Sequence, residues 1–316
     1  MPKKYAKGIY PHYRRDGKNG NRFHHFYTQR MKTVVDLHSH SRYSDGTLSV
    51  EALLDLAHLR GVNLLALTDH DELAGMADAK HHAQRLGMQW VAGVEISAAA
   101  SGLPVHILGL RIDETDAALR AALQRTRDDR KVRAQAMSDS LAAAGIEGAL
   151  AGAMALAPNV DLISRTHFAR HLVNTGVCRS FGEVFGRFMK PGKPGYVAQA
   201  WMPMAEAISL IHSAGGRAVL AHPGRYELDA FRDLDWLLQS FVEAGGDGLE
   251  VVCAAHTPAE WAHFATLARR FGLLASTGSD FHSHEESRVK FGDLPPLPAN
   301  LKPVWHDWPE MECLHA

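Results

Sequence analysis

The stretch DLHSHSRYSDG, residues 36–46, sets His38, His40 and Asp45 within eight residues, directly after an apolar run. In an extended strand alternate residues share a face, so His38 and His40 can aim at one point. Two imidazoles converging beside a carboxylate need positive charge between them, and a divalent cation is the usual solution. The bland alternative is a pair of ordinary surface histidines. The rest of the chain weighs against it: LTDH ends at His70, GVE at Glu95, LAHPG holds His222, and GSDFH carries Asp280 and His282, while VHILGL contributes His106. Each signal occurs by chance alone, but together they are strong. Six imidazoles and three carboxylates are too many for one tetrahedral metal. They suit two or three five- or six-coordinate ions with water between them, such as Mn, Fe or Zn.

These residues need a scaffold that brings distant segments together. After Met31 a short apolar run, a ligand-type residue and a helical stretch recur in order. The runs are residues 33–40, 63–70, 89–95, 105–110, 217–224, 247–252 and 273–282, and five of the seven finish with a ligand-type residue. His106 instead enters from the start of its strand or from a bulge. Helical patterns lie between runs, over 48–61 with Gly61 as a stop and over 204–216. Strand–helix alternation predicts a parallel α/β sheet or barrel, whose ligands sit at the carboxyl ends of the strands.

One segment breaks the alternation. Residues 113–198 contain no convincing strand and open with a long Ala-, Arg- and Leu-rich helical pattern closing at Gly145. A second helix follows over 164–176, with Ser164 as N-cap and Gly176 as stop. The predicted organisation is an N-terminal extension at 1–31, a barrel formed by 32–112 and 199–316, and a helical insertion at 113–198 that caps the substrate. The charge run RTRDDRKVR within the insertion reads as a solvated helix face.

Composition narrows the function classes. Apolar residues are 46% and charged residues 22% of 316, ordinary for a globular chain able to bury a full core. A net charge of −1 gives no global attraction to nucleic acid or membrane, so anion binding must be local. Cys178, Cys253 and Cys313 lie far apart with no CxxC pair, which argues against a disulfide scaffold or thiolate zinc site and fits a reducing cytoplasm. No apolar run approaches a membrane span, and no protein partner is implied. The first 30 residues hold eight Lys/Arg and one acidic residue with no helical period. They read as a disordered tail; the alternative is a basic, aromatic-dotted arm that touches RNA.

The motifs DLHSHSRYSDG, LTDHD, GVEIS, VHILGL, RTHFARHLV, GKPGYV, AHPGRY and GSDFH resemble the PHP (polymerase and histidinol phosphatase) metal-dependent phosphoesterases over residues 34–305. The similarity is greatest to the stand-alone bacterial branch with nucleoside 3′,5′-bisphosphate phosphatase and 5′→3′ exoribonuclease activities. It implies a distorted (β/α)7 barrel holding three ions, Mn foremost. One ion would take His38, His40, Glu95 and Asp280, a second Glu95, His106 and His222, and a third Asp45, His70 and His282. Three divalent ions against three carboxylates leave about +3, which attracts phosphate and generates hydroxide from bound water for attack on phosphorus. Glu95, His222 and Asp280 are the expected catalytic ligands, with Glu95 as bridge. Asp36 and Asp69, beside ligands, are either orienters of those ligands or buried caps.

Groups that hold the phosphate not being cleaved must be cationic. Arg165 shares the helical arc of Phe168, Ala169, Leu172 and Val173, the face expected to pack on the barrel, and adds to a helix N-terminus. Lys193 sits on a Gly/Pro loop and Arg225 beside His222. His167 is a further candidate for substrate binding, although with Arg170 it falls on the opposite arc, where solvation is the simpler expectation. The expected substrates are small phosphorylated nucleotides and short RNA 5′ ends. Two rivals are an amidohydrolase, which also pairs histidines on a first barrel strand, and a non-catalytic RNA-binding module. Basic residues near the mouth disfavour the first, and the net charge disfavours the second.

Overall fold

The computed structural model describes residues 33–228, 233–285 and 287–314; the basic extension lies outside the described residues. The strands are β1 (Val35–Asp36), β2 (Leu64–Leu67), β3 (Gln89–Ala100), β4 (Leu103–Leu110), β5 (Met202–Pro203), β6 (Arg217–Leu220), β7 (Gly248–Cys253) and β8 (Leu274–Gly278). They form one sheet in the order β1-β2-β3-β4-β6-β7-β8, with β5 pairing to β3 off that path. The sheet closes on itself: Leu37 N–H donates to the Thr277 carbonyl at 3.0 Å, and Ser39 bridges Phe281. The fold is a distorted α/β barrel with added helices.

The strands are not all parallel as the alternation predicted. β4 runs antiparallel to both β3 and β6. The reason is local. Ala100 pairs with Leu103, leaving Ser101 and Gly102 as a two-residue turn, and both have positive φ (45° and 81°). That is the backbone of a type I′ hairpin turn, which reverses the chain without a helix. His106 therefore reaches the barrel mouth early in its strand, where parallel strands deliver residues late.

Helices α1 (Val50–Leu59), α2 (Met76–Leu86), α7 (Met204–Ser213), α8 (Leu234–Glu243) and α9 (Pro258–Arg270) surround the sheet. Their apolar faces, such as Leu53, Leu54 and Ala57 of α1 and Leu237, Leu238 and Phe241 of α8, join the strands in the largest core cluster. A short α10 (Pro309–Glu312) follows Trp308, which is buried with Leu37, Val304 and Val219.

Between β4 and β5 the chain is helical: α3 (Ala117–Ala143), α4 (Ala149–Leu156), α5 (Arg165–Asn174) and α6 (Phe181–Val184), continued by a π turn at Phe185–Met189. This segment has a second core, in which Met137, Leu141, Phe168, Leu172, Val184 and Met189 pack together. Leu119 and Leu123 instead belong to the barrel core, so the passage from one core to the other falls inside α3. The apolar face of α5 accordingly packs on neighbouring helices, correcting the expectation that it docks on the barrel. The RTRDDRKVR run is a solvated face only in part: Arg125, Asp128, Asp129 and Lys131 are exposed, but Thr126 and Arg130 are buried. Arg130 is 6% exposed and bonds the Asp71 carboxylate at 2.6 Å and Ser97 Oγ at 2.7 Å, tying α3 to the barrel. No helix among the described residues is long and apolar enough to cross a membrane.

Candidate metal centre

Alternation delivers four of the nine candidate ligands. His38 and His40 flank Ser39, whose hydroxyl turns away to the Ala66 carbonyl, and both imidazoles are fully buried. Asp280 and His282 likewise flank Phe281, which is buried against Phe291 with ring centroids 4.7 Å apart. His70 follows β2 and forms a bridge to Glu95 in the middle of β3. His222 follows β6 with a φ of 27°, and Asp280 has a φ of 50°. Such left-handed non-glycine backbone is disfavoured and persists where surrounding structure over-determines it, often at functional sites.

All nine predicted ligand residues are brought to one mouth of the barrel. Glu95 lies at the centre, 0% exposed. Its Oε2 is 3.3 Å from His38 Nε2, 3.2 Å from His40 Nε2 and 2.9 Å from His70 Nδ1. Its Oε1 is 2.8 Å from His106 Nδ1 and 3.0 Å from His222 Nε2. Asp280 Oδ1 lies 3.3 Å from both His38 Nε2 and His40 Nε2. Asp45 Oδ1 is 3.2 Å from His282 Nε2 and 3.8 Å from His70 Nε2.

These spacings and donor types fit divalent ions. Ligand atoms about 2.1 Å from an ion and at right angles stand about 3.0 Å apart. Three overlapping groups have ligand atoms within 4.8 Å of one another: His38, His40, Glu95 and Asp280; His40, Asp45, His70 and His282; and His70, Glu95 and His106. His222 is outside those groups and approaches through Glu95 Oε1. Several of these buried atoms, among them His38 Nε2, His40 Nε2, His70 Nδ1, Asp45 Oδ1 and Glu95 Oε2, make no hydrogen bond. Burying polar atoms without partners is costly, and a cation would satisfy them.

Electrostatics keep the carboxylates ready to bind cations. Burial opposes ionisation of Glu95, Asp45 and Asp280, but the surrounding imidazoles, with Arg225 at Asp280, hold all three well below the usual carboxylate range. Burial likewise opposes charge on His40, yet Asp280 and Glu95 push it up to about 10. At His222 burial dominates and pushes the imidazole down to about 4.

Supporting residues sort differently from expectation. Asp36 accepts from Ser279 N at 2.9 Å, and Asp69 accepts from Ser41 and Ser44, so both brace backbone and loop and neither orients a ligand ring. Glu250, inside the apolar run of β7, was missed. It is fully buried, 3.0 Å from His38 Nδ1, and its other oxygen accepts from His222 N at 2.6 Å. The available signal was a lone carboxylate between Leu249 and Val251 in a buried strand. A Cβ on Gly278 would come within 2.2 Å of His38 Cβ and 2.8 Å of Glu250 Oε1, so the pairing requires glycine there.

Among the predicted substrate contacts, Arg225 bonds Asp280 Oδ2 at 2.5 Å with half its side chain exposed. Arg165 places its guanidinium 5.7 Å from the Phe185 ring centroid. Burial, then the charges of Arg165 and Arg130, push Arg133 down to about 10, marking a group of three guanidiniums that was not foreseen. Lys193 is exposed on its loop. His167 is not solvated: it is 0% exposed, because its Nδ1 accepts from Ser164 N in a capping box. Arg170 likewise reaches the barrel, donating to the Asp45 carbonyl at 2.9 Å. A cavity of about 880 Å3 lies over the centre, with Asp280, His282 and Arg225 in its lining.

A barrel carrying this cluster defines a metal-dependent phosphoesterase of the PHP type, and comparison with known proteins agrees. The PHP domain model matches residues 36–183. A 3′,5′-nucleoside bisphosphate phosphatase of Chromobacterium violaceum is 44% identical over 273 residues, covering 86% of this chain and 95% of that protein. The 5′-3′ exoribonuclease Rnm of Escherichia coli is 42% identical over 277 residues, covering 87% and 94%. A solved Chromobacterium violaceum structure, described as an amidohydrolase with bound sulfate and no metal, superposes with a TM-score of 0.82 at 44% identity, covering 89% of this chain and 96% of that one. The chain belongs to the PHP domain family.

Proposed function

We propose that this enzyme removes the 3′-phosphate of nucleoside 3′,5′-bisphosphates, releases nucleotides from 5′-monophosphorylated short RNA, or does both. The observation that carries the reading is Glu95, whose two oxygens address separate sets of imidazoles, as a carboxylate bridging cations must. The named activities of the two relatives support the substrate class. Three divalent ions, manganese foremost, would neutralise phosphate charge and supply an activated water. His38, His40, Asp45, His70, Glu95, His106, His222, Asp280 and His282 would hold them.

The chain's own residues do the rest. Glu95 and Asp280 keep their negative charge in a buried setting, and the imidazoles around them limit the site's net charge. Arg225, beside Asp280 and partly exposed, is placed to bond a phosphate oxygen. Arg165 and Lys193 would take the second phosphate, with residues 113–198 capping the substrate. The three free cysteines support a cytoplasmic setting.

The test is phosphate release across nucleoside bisphosphates and 5′-monophosphorylated oligoribonucleotides with added Mn. A second reading, amide hydrolysis, draws on the description of the Chromobacterium violaceum structure. Release of ammonia or amine without phosphate would establish it and sink the first. The arginines around the site favour phosphate, since a neutral amide gives them nothing to pair with.

A further inference from the structure

The cavity over the metal centre has two unlike walls. Arg225, Asp280 and His282 line it on the barrel side, while Phe181 and Phe185 line it from the helical segment. The two phenylalanines are four residues apart, one on α6 and one opening the π turn that continues it, a spacing that puts side chains on one helix face. Both rings are half-buried. They pack on the helical core, and what that core leaves uncovered borders the cavity. Departures from α-helical geometry at π turns recur at functional sites.

An apolar aromatic wall facing a charged centre suits a ligand that is anionic at one end and flat and weakly polar at the other. The volume, about 880 Å3, lies in the range of roughly 300–1,000 Å3 that encloses small organic ligands. A base-free sugar phosphate would leave both rings facing water. We propose that Phe181 and Phe185 form a stacking wall for the substrate's nucleobase while its scissile phosphate lies at the metal centre. This rests on the phosphoesterase reading above and adds how the base is recognised. Stacking on aromatic rings tolerates any base, so the wall confers preference for nucleotides over other phosphate esters without choosing among bases. Arg165, whose guanidinium lies 5.7 Å from the Phe185 ring centroid, borders the same wall and helps to hold that ring in place.

The experiment compares binding of adenosine 5′-monophosphate and ribose 5-phosphate to the full chain in Mn-containing buffer by calorimetry. The parent protein should prefer the nucleotide by roughly tenfold or more, the size expected of base–aromatic stacking. Phe185→Leu should remove most of that preference by weakening the nucleotide far more than ribose 5-phosphate, whereas Phe185→Tyr should retain it. Equal binding of the two ligands by the parent, or an undiminished preference in a Phe181→Leu/Phe185→Leu variant, would overturn the proposal. Should the leucine variants lose their fold, Ala255→Trp fills the cavity from the barrel side without touching the helical core. It should abolish the nucleotide preference, and an intact preference would count equally against the wall. Turnover is a separate arm. A parent protein that frees no phosphate from nucleoside bisphosphates defeats the functional reading, while the binding comparison still decides the wall.

Discussion

Glu250 and His38 are joined by a buried contact of 3.0 Å between carboxylate and Nδ1. Burial opposes ionisation of Glu250, but His38 and His222 hold it below the usual carboxylate range, so it accepts and does not donate. His38 Nδ1 therefore donates to it, and with a cation bound the other nitrogen, Nε2, which faces Glu95 and Asp280, would be the one to give up its proton and act as a ligand. The same carboxylate takes the backbone N–H of His222, coupling two candidate ligands from different strands.

Glu250→Gln keeps the shape but offers one acceptor to two donors. Metal affinity should fall about 10- to 100-fold, the usual cost of losing such a partner, with turnover recovering at high metal concentration. Calorimetric titration with Mn measures it; unchanged affinity would remove Glu250 from the site.

Glu95→Gln should lower turnover at least about a hundredfold, because an amide cannot bridge cations through both arms. The fold should persist by circular dichroism. An unchanged rate in metal-saturated buffer would take Glu95 out of the mechanism.

Arg165→Ala should reduce kcat/KM on a nucleoside 3′,5′-bisphosphate roughly ten- to hundredfold, equivalent to a charge-assisted contact of about 1.5–3 kcal/mol. An aryl phosphate lacking the second group should be nearly unaffected. Equal losses on both would assign Arg165 to structure or to the scissile phosphate, and no loss on either would pass the role to Lys193 or Arg225.

Arg130→Ala strands the buried Asp71 carboxylate, which among the described residues has no other cation as near as Arg130 Nη2 at 2.6 Å. Breaking such a pair costs about 3–5 kcal/mol, read as a lower urea midpoint. Adding Asp71→Asn should restore part of the loss; no rescue would mean that the pair contributes little.

Deleting residues 1–30 should leave hydrolysis of small substrates unaltered, because every candidate ligand follows Met31. Loss of activity on a mononucleotide would give the basic extension a place in the reaction.

The sequence by itself determined the candidate ligands and the helix ends, because both depend on local rules. Alternation around Ser39 and Phe281 sends their neighbours to one face. Ser164 caps α5, and Gly61, Gly145 and Gly176 have the positive φ expected of helix stops. The reversal of β4 was also local, but its signal was a two-residue Ser101–Gly102 turn between runs read as separate strands. Other features depended on which segments meet. Nothing near Glu250 in the chain indicates that it faces His38, 212 residues away, since only closure of the sheet makes them neighbours. Arg130 fits a solvated helix on local pattern, and becomes buried only because α3 crosses Asp71 and Ser97. Periodicity tells a side chain which face of its own element it occupies; what lies opposite that face is decided by packing between elements distant in the chain.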